Sequence, residues 1–475
     1  MKKKYCLLSL IALVTLTACQ NIAVDQVLKK PNFENVSVHD PSIIKTNDSY
    51  YIVGSHAMFA KSSDLIQWEQ LASSINTDIM FENVREELVE DFKYAKTNTM
   101  WASDLVQLKD GKYYLYYCLC EGNSPLSALG VAVSDSIEGP YKKVETFLHS
   151  GTSPQFGKTY DATRHPNVID PNVFYDKDGK LWMVYGSYSG GIYILEMDET
   201  TGLPKERNTY GKHLLGGNHA RIEAPYIQYH SETDYYYLFT SFGGLTADGG
   251  YNLRVARSKN PDGPYEDISG NKMDSVKGKA GTTFDDLSIQ DYGNKVIGNF
   301  LYEPDDGLTN AGYVSPGHNS TYCDEKSGKY FAIFHTRFPN SGEIHEVRVH
   351  QLLFTESGWP VMVPLRYGEE TIADYKKNQI GLEFKAILFE KEISDAVSEP
   401  QMIHLTSDGK IQGELEGNWQ LSDKNTSKDS IITINNTTYK GRFISAWDEY
   451  QEQQAMTFTG LSDNGLPIYL IEVRK

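Results

Sequence analysis

Cysteine is scarce in this chain, with five residues in 475. That excludes a disulfide scaffold, and a chain of this length with 40% apolar side chains has enough to bury a sizeable core without one. Cys118 and Cys120 lie two apart, on one face of a predicted strand, which is poor geometry for a mutual disulfide. A structural zinc site needs four ligands, usually in close pairs, and the sequence offers no such set. Long apolar runs are also missing: Leu7–Leu16 is too short to read as a membrane span. Positive charge is in deficit, with 45 Lys and Arg against 63 Asp and Glu, a net charge of −18. Such a chain lacks the clustered cations that nucleic acid requires, and it repels polyanions at long range. A neutral polymer is compatible with it.

The N-terminus has the layout of a targeting segment. Lys2–Lys4 precede the apolar run, and "LTAC" ends at Cys19. This resembles a bacterial lipoprotein signal, in which the cysteine is lipidated and becomes the first mature residue. The expectation is a leader over residues 1–18, a linker over 19–30, and a secreted, extracytoplasmic protein tethered to the cell membrane through Cys19. Cys118, Cys120 and Cys323 then remain, an odd count, and read as buried thiols. Nothing reads as a symmetric interface, so a monomer is expected.

Internal repetition carries the fold. Five segments begin at a turn of Asp, Asn or Gly and continue as an aromatic-rich strand and a further strand; two of them exit through Gly-Pro-Tyr. "KDGKYYLYYCLC" and "ETDYYYLFTSF" are two of them. Each is preceded by a short strand with a polar head: "HDPSIIK", "ASDLVQL", "IDPNVFYD", "EAPYIQYH" and "GHNSTYCD". Units of about four antiparallel strands match propeller blades. The pattern predicts an all-β chain, a five-bladed β-propeller over residues 31–363, whose heads converge at one mouth of a central channel. Two longer excursions interrupt it, Asn76–Asn98 between the first two blades and Asp267–Gly307 between the fourth and fifth. Residues 364–475 read as further short strands, a small C-terminal β-barrel that either braces the propeller or binds polysaccharide through aromatics such as Trp419 and Trp447.

Three heads are carboxylates, Asp40, Asp170 and Glu223, and the fifth carries His318. A single Asp-Pro is an ordinary turn signal. Three acids at equivalent places in a repeat are a different matter. Two carboxylates flanking a glycosidic bond are the minimum for its acid–base hydrolysis, one ionised and one protonated. A third acid nearby raises the proton affinity of its neighbour by like-charge repulsion.

"VHDPSII", "NVIDPNVF", "YGSYSGGIYILEMD", "RIEAPYI" and "SPGHNSTY", in this order and at blade-like spacing, resemble glycoside hydrolase family 43. Within it they look most like the two-domain bacterial endo-α-1,5-L-arabinanases. The resemblance implies an inverting hydrolase of plant cell-wall arabinan or arabino-oligosaccharides. It makes Asp40 the general base, Glu223 the general acid, and Asp170 the acid that tunes and holds Glu223. It also implies a calcium ion in the channel near His318. As substrate contacts it implies Asp40 itself, Asn167, Val168, Ile169 and Asp170, then Ser187, Tyr188 and Ser189, with Gly122 and Trp101. Ser103 stands where the family often has proline after Trp-Ala, a change that touches the blade and not the acids. His39 reads as a structural neighbour of Asp40. The alternatives are an exo-acting arabinofuranosidase or β-xylosidase of the same family, and a surface propeller that binds glycan without cutting it. The second would be expected to have lost one of the three acids.

Overall fold

Strands that alternate small and aromatic side chains bury both faces when sheets pack radially, and that is how this chain uses its tyrosines. The computed structural model of the protein describes residues 29–76, 79–121, 126–151, 160–304, 307 and 310–474. The expected leader with Cys19, and Gly122, lie outside the described residues.

Blade 1 consists of Ser42–Thr46, Ser49–Val53, Phe59–Ser62 and Trp68–Ala72. Blade 2 consists of Trp101–Gln107, Tyr113–Cys120, Ser127–Ser134 and Lys142–His149. Blade 3 runs from Asn172–Tyr175 through Leu181–Tyr185 and Ile192–Met197 to Lys212–Leu215. Blade 4 runs from Ile222–His230 through Tyr235–Phe242 and Asn252–Ser258 to Asn294–Ile297. Blade 5 contains Gly312–Asp324, Lys329–Arg337, His345–Phe354 and Pro360–Met362, with the short Phe300–Leu301 added beside its first strand. All pairings are antiparallel, and the first strands of successive blades touch in a closed ring.

A belt of hydrogen bonds laces that ring. Ser42 of blade 1 donates to Asp104 of blade 2, and Asp104 accepts the Val173 N–H of blade 3 at 2.6 Å. Asn172 accepts the Ile227 N–H of blade 4 at 3.0 Å. Thr321 of blade 5 donates to Gln228 of blade 4 at 3.2 Å, and Ser320 donates to the Pro41 carbonyl of blade 1 at 2.7 Å. The N-terminal segment adds a clasp on the outside: the Val347 N–H of blade 5 donates to Val36 at 3.0 Å, while Glu34 pairs with the outer edge of blade 1.

Beyond the propeller, eight strands from Glu383–Leu388 to Pro467–Glu472 close into a barrel, the last pairing with the first. Its interior is packed with side chains, including Phe384, Ile403, Trp419, Phe443 and Phe458. Trp419 and Trp447 are both buried, so neither is a surface platform for glycan. Ile387, Phe389, Ile444, Tyr469 and Ile471 of the barrel share one core with Phe300, Tyr313, Trp359 and Val361 of the propeller.

Asn76–Asn98 carries two short helices, Val84–Glu87 and Val89–Ala95. They pack on blade 2, where Tyr117, Thr146 and Lys143 all donate to Asp91. The second excursion is corrected in position. It does not separate blades 4 and 5, because Asn294–Ile297 within it is the fourth strand of blade 4. Four residues bounded by turns give too short a pattern to reveal a strand. The true insertion lies inside blade 4, between Ser258 and Asn294.

Candidate active site

The heads meet as the repeat predicts, and they do so on unusual backbone. Asp40 (φ 59°), Asp170 (φ 56°), Ala224 (φ 55°) and Ser315 (φ 48°) all occupy the left-handed region, and each precedes a proline. Such conformations cost of order 1–3 kcal/mol each and collect at functional sites. His318 is left-handed too, at φ 46°. Pairing is irregular between Glu223 and Tyr226, around Gly317, and between Trp101 and Asp104. Bulges of this kind re-aim side chains toward the channel mouth. Gly317 is required for close approach, since a Cβ there would sit 1.9 Å from the Tyr251 ring.

Asp40, Asp170, Glu223 and His318 line one cleft of about 350 Å³, and the three carboxylates are buried. Asp40 is enclosed by hydrogen-bonding groups. His39 Nδ1 lies 2.8 Å from Oδ2, His318 Nδ1 lies 3.0 Å from Oδ1, and Ser55 donates its hydroxyl to Oδ2. The Asp40 N–H donates to His335 Nδ1 at 3.1 Å, and the His335 ring stacks on His39 with centroids 4.1 Å apart. Burial alone would raise the Asp40 carboxyl, but the His318 and His39 imidazoles hold it well below the usual carboxylate range.

Asp170 and Glu223 are shifted the other way. Burial raises both, and repulsion from neighbouring carboxylates adds to it. They titrate as a pair. Ser187 donates to Glu223 Oε2 at 2.7 Å, and the Ala224 N–H donates to Asp170 Oδ2 at 3.2 Å, so the two acids are fixed through adjoining residues. His318 is desolvated, yet Asp40 and Asp170 push it up to about 9, which makes it a cation at neutral pH.

The other expected contacts divide. Trp101, Asn167, Ile169, Ser187, Tyr188 and Ser189 line the cleft. Val168 does not: its side chain is wholly buried in the core shared by blades 2 and 3. Cys120 also reaches the cleft wall, and burial pushes its thiol up to about 12; Cys118 is fully buried behind it, whereas Cys323 is only half-buried. Residues missed by sequence reasoning are Ser55 and His335, which hold Asp40, and His219, Leu245 and Phe284, which line the cleft. None of them sits in a strand head, so the repeat gives no signal for them.

As for calcium, the three carboxylates around His318 suit a cation, but the protonated imidazole has no lone pair to offer and must lose its proton before it can ligate. The donor set is thin. Calcium takes about six to eight oxygen ligands, and His318 offers one nitrogen. Among the described residues, the side chains close enough to share an ion are His39, Asp40 and His335, a group without His318. An ion at His318 would therefore take most of its ligands from water.

Comparison with known proteins agrees with this geometry. Residues 32–286 match the model for glycosyl hydrolases family 43, and residues 364–470 match that for a C-terminal lipocalin-like domain. The chain is 53% identical to extracellular endo-α-(1→5)-L-arabinanase 2 of Bacillus subtilis (strain 168), covering 93% of this chain and 94% of that one. It is 46% identical to the extracellular endo-α-(1→5)-L-arabinanase of Thermotoga petrophila, covering 98% and 99%. The crystal structure of endo-1,5-α-L-arabinanase from Thermotoga petrophila RKU-1 superposes with a TM-score of 0.89, covering 94% of this chain and 100% of that one. On the strength of the propeller, the head motifs and these matches, the chain belongs to glycosyl hydrolases family 43.

Proposed function

We propose that the protein is an inverting hydrolase that cleaves internal α-1,5-L-arabinofuranosyl bonds of arabinan. One observation carries the reading: three carboxylates line a single cleft, with Asp40 shifted down by its imidazoles and Asp170 and Glu223 shifted up by burial and by neighbouring carboxylates. Asp40, kept ionised by its imidazoles, takes the proton of the attacking water. Glu223, whose proton affinity burial and the neighbouring carboxylates raise, delivers its proton to the leaving oxygen. Asp170, pushed up to about 8 by burial and the neighbouring carboxylates, shares the pair's proton with Glu223 and so keeps it close to the leaving oxygen. His318 offsets the carboxylates with its own charge. Calcium bound there would take the place of that charge, with His318, deprotonated, as its protein ligand. Asn167, Ile169, Ser187, Tyr188, Ser189 and Trp101 contact the sugar. The reading extends to a secreted monomer tethered through lipidated Cys19, facing a polymer outside the cell.

The test is product analysis on debranched linear arabinan, run with calcium and again after chelation. Wild type is expected to release oligosaccharides of mixed length. Asp40→Ala and Glu223→Ala are each expected to lose about 10²–10⁴-fold in kcat. Release of arabinose alone would replace the endo reading with an exo one, and cleavage of xylan instead would discard the substrate. Full activity after chelation, with no response to added calcium, would remove the ion from the scheme.

A further inference from the structure

The insertion inside blade 4 holds an aromatic ring where folding gains little from it. Phe284 is 57% exposed, yet it lines the wall of the catalytic cleft. Its backbone is left-handed, at φ 56°, which a bulky side chain adopts only under constraint. The Phe284 N–H donates to the His219 carbonyl at 3.1 Å, and its ring meets the Tyr188 ring edge-on at 5.8 Å. That puts it at the junction of blades 3 and 4, beside the Ser187–Glu223 hydrogen bond. Trp101 stands at the junction of blades 1 and 2, on the other side of the ring.

The segment carrying Phe284 is tied down on both sides. Arg221, two residues before Glu223, grips Asp286 through Nε at 3.0 Å and through Nη2. Asp285 accepts the Lys279 N–H at 2.8 Å and the Ser288 hydroxyl at 2.7 Å. Ile289 is fully buried, and the buried Arg254 donates to the Gln290 and Tyr292 carbonyls. The chain therefore fixes an apolar ring in strained geometry, over a polar cleft, with its ring left half bare. Fixed aromatic surface of this kind binds planar apolar faces at little entropic cost. The C–H face of a furanose presents such a surface.

We propose that Phe284 is a stacking platform for an arabinofuranosyl unit outside the bond being cleaved, on the blade 3–4 side of the cleft. With Trp101 across the centre, it defines the line that the polymer follows. This rests on the reading of the protein as an arabinan hydrolase. Phe284 sets the preference for long chains over short ones and takes no part in proton transfer.

The test compares wild type, Phe284→Asn, Phe284→Tyr and Leu287→Asn on linear arabinan and on arabinotriose. Asparagine tolerates the left-handed backbone and removes the ring. Leu287 is the control, 79% exposed on the same segment but outside the cleft wall. Phe284→Asn is expected to raise KM for linear arabinan about tenfold, the effect of losing most of one buried apolar contact. Its kcat, its activity on arabinotriose and its melting temperature should hold. Phe284→Tyr should restore KM, and Leu287→Asn should match wild type. An unchanged KM for arabinan, or an equal loss on arabinotriose, overturns the platform. A fall in melting temperature that tracks the kinetic loss, or a failure of tyrosine to restore KM, makes the ring structural and overturns it as well. Wild type that cleaves arabinan while Phe284→Asn is unaltered leaves the function standing and removes only the platform. Wild type without action on arabinan removes both.

Discussion

Asp40 meets the conflicting demands on a general base, which must be desolvated to be strong and yet remain ionised. Its imidazole partners resolve the conflict, and His39 is the one whose removal can be isolated. His39 stacks on His335 and touches Oδ2 through Nδ1. In His39→Phe the ring stack is kept and the nitrogen is lost. The ionised form of Asp40 then loses a stabilising partner, so its pKa rises toward the usual carboxylate range. The acid limb of the kcat/KM profile on linear arabinan should move to higher pH by about one unit. The alkaline limb belongs to the Asp170–Glu223 pair and should stay. A profile unchanged on its acid side would show that His39 serves packing alone.

At the scale of strands and blades, the sequence shows the repeat and conceals what makes the repeat work. Alternating aromatics and Gly or Asn turns mark the hairpins, and Asp40, Asp170 and Glu223 stand at the heads of three first strands, so both fold and acids are readable; His318, expected at a head, lies instead at a bulge in the middle of Gly312–Asp324. The left-handed φ at Asp40, Asp170 and Ala224 is not readable: Asp tolerates it better than most residues, but the proline that follows each position favours extended backbone, so the surrounding packing imposes it. Asn294–Ile297 escapes notice because a four-residue edge strand has almost no period, and Phe284 because a lone aromatic in a polar insertion has none. Asp104 is visible only as a residue of "ASD", while the structure makes it the node joining blades 1, 2 and 3. Burial pushes its carboxyl from 3.8 up to about 7. A carboxyl raised in the folded state binds more protons folded than unfolded between those values. Its contribution to stability is therefore complete at low pH and lost as pH rises to about 7. Asp104→Asn has no such titration. The melting-temperature advantage of wild type over Asp104→Asn should shrink steadily from about pH 4 to pH 7. A difference that does not vary across this range would mean that Asp104 is not held protonated by its site.

Across the whole molecule, the barrel and propeller behave as one packed body with two architectures. Phe389 of the barrel lies between Phe300 of the propeller, at 6.1 Å, and Tyr469 of the barrel, at 5.1 Å. The backbone joins them as well: the Leu301 N–H donates to the Ser398 carbonyl, and the Ser398 N–H donates to Asn299, both at 3.0 Å. Tyr469 donates to the Val296 carbonyl at 3.0 Å, and Lys385 pairs with Glu303. Blade 4 closes on Asn294–Ile297, so the barrel braces the same blade that presents Glu223 and the Phe284 segment. A shared core of this kind couples the two domains in unfolding. Calorimetry should show a single transition for the intact chain. Phe389→Ala removes a ring at the centre of the junction and should cost about 3–5 kcal/mol, lowering that one transition as a whole. If instead the trace divides into two peaks, with only one displaced by Phe389→Ala, the barrel is an independent appendage, and the geometry of Glu223 does not depend on it.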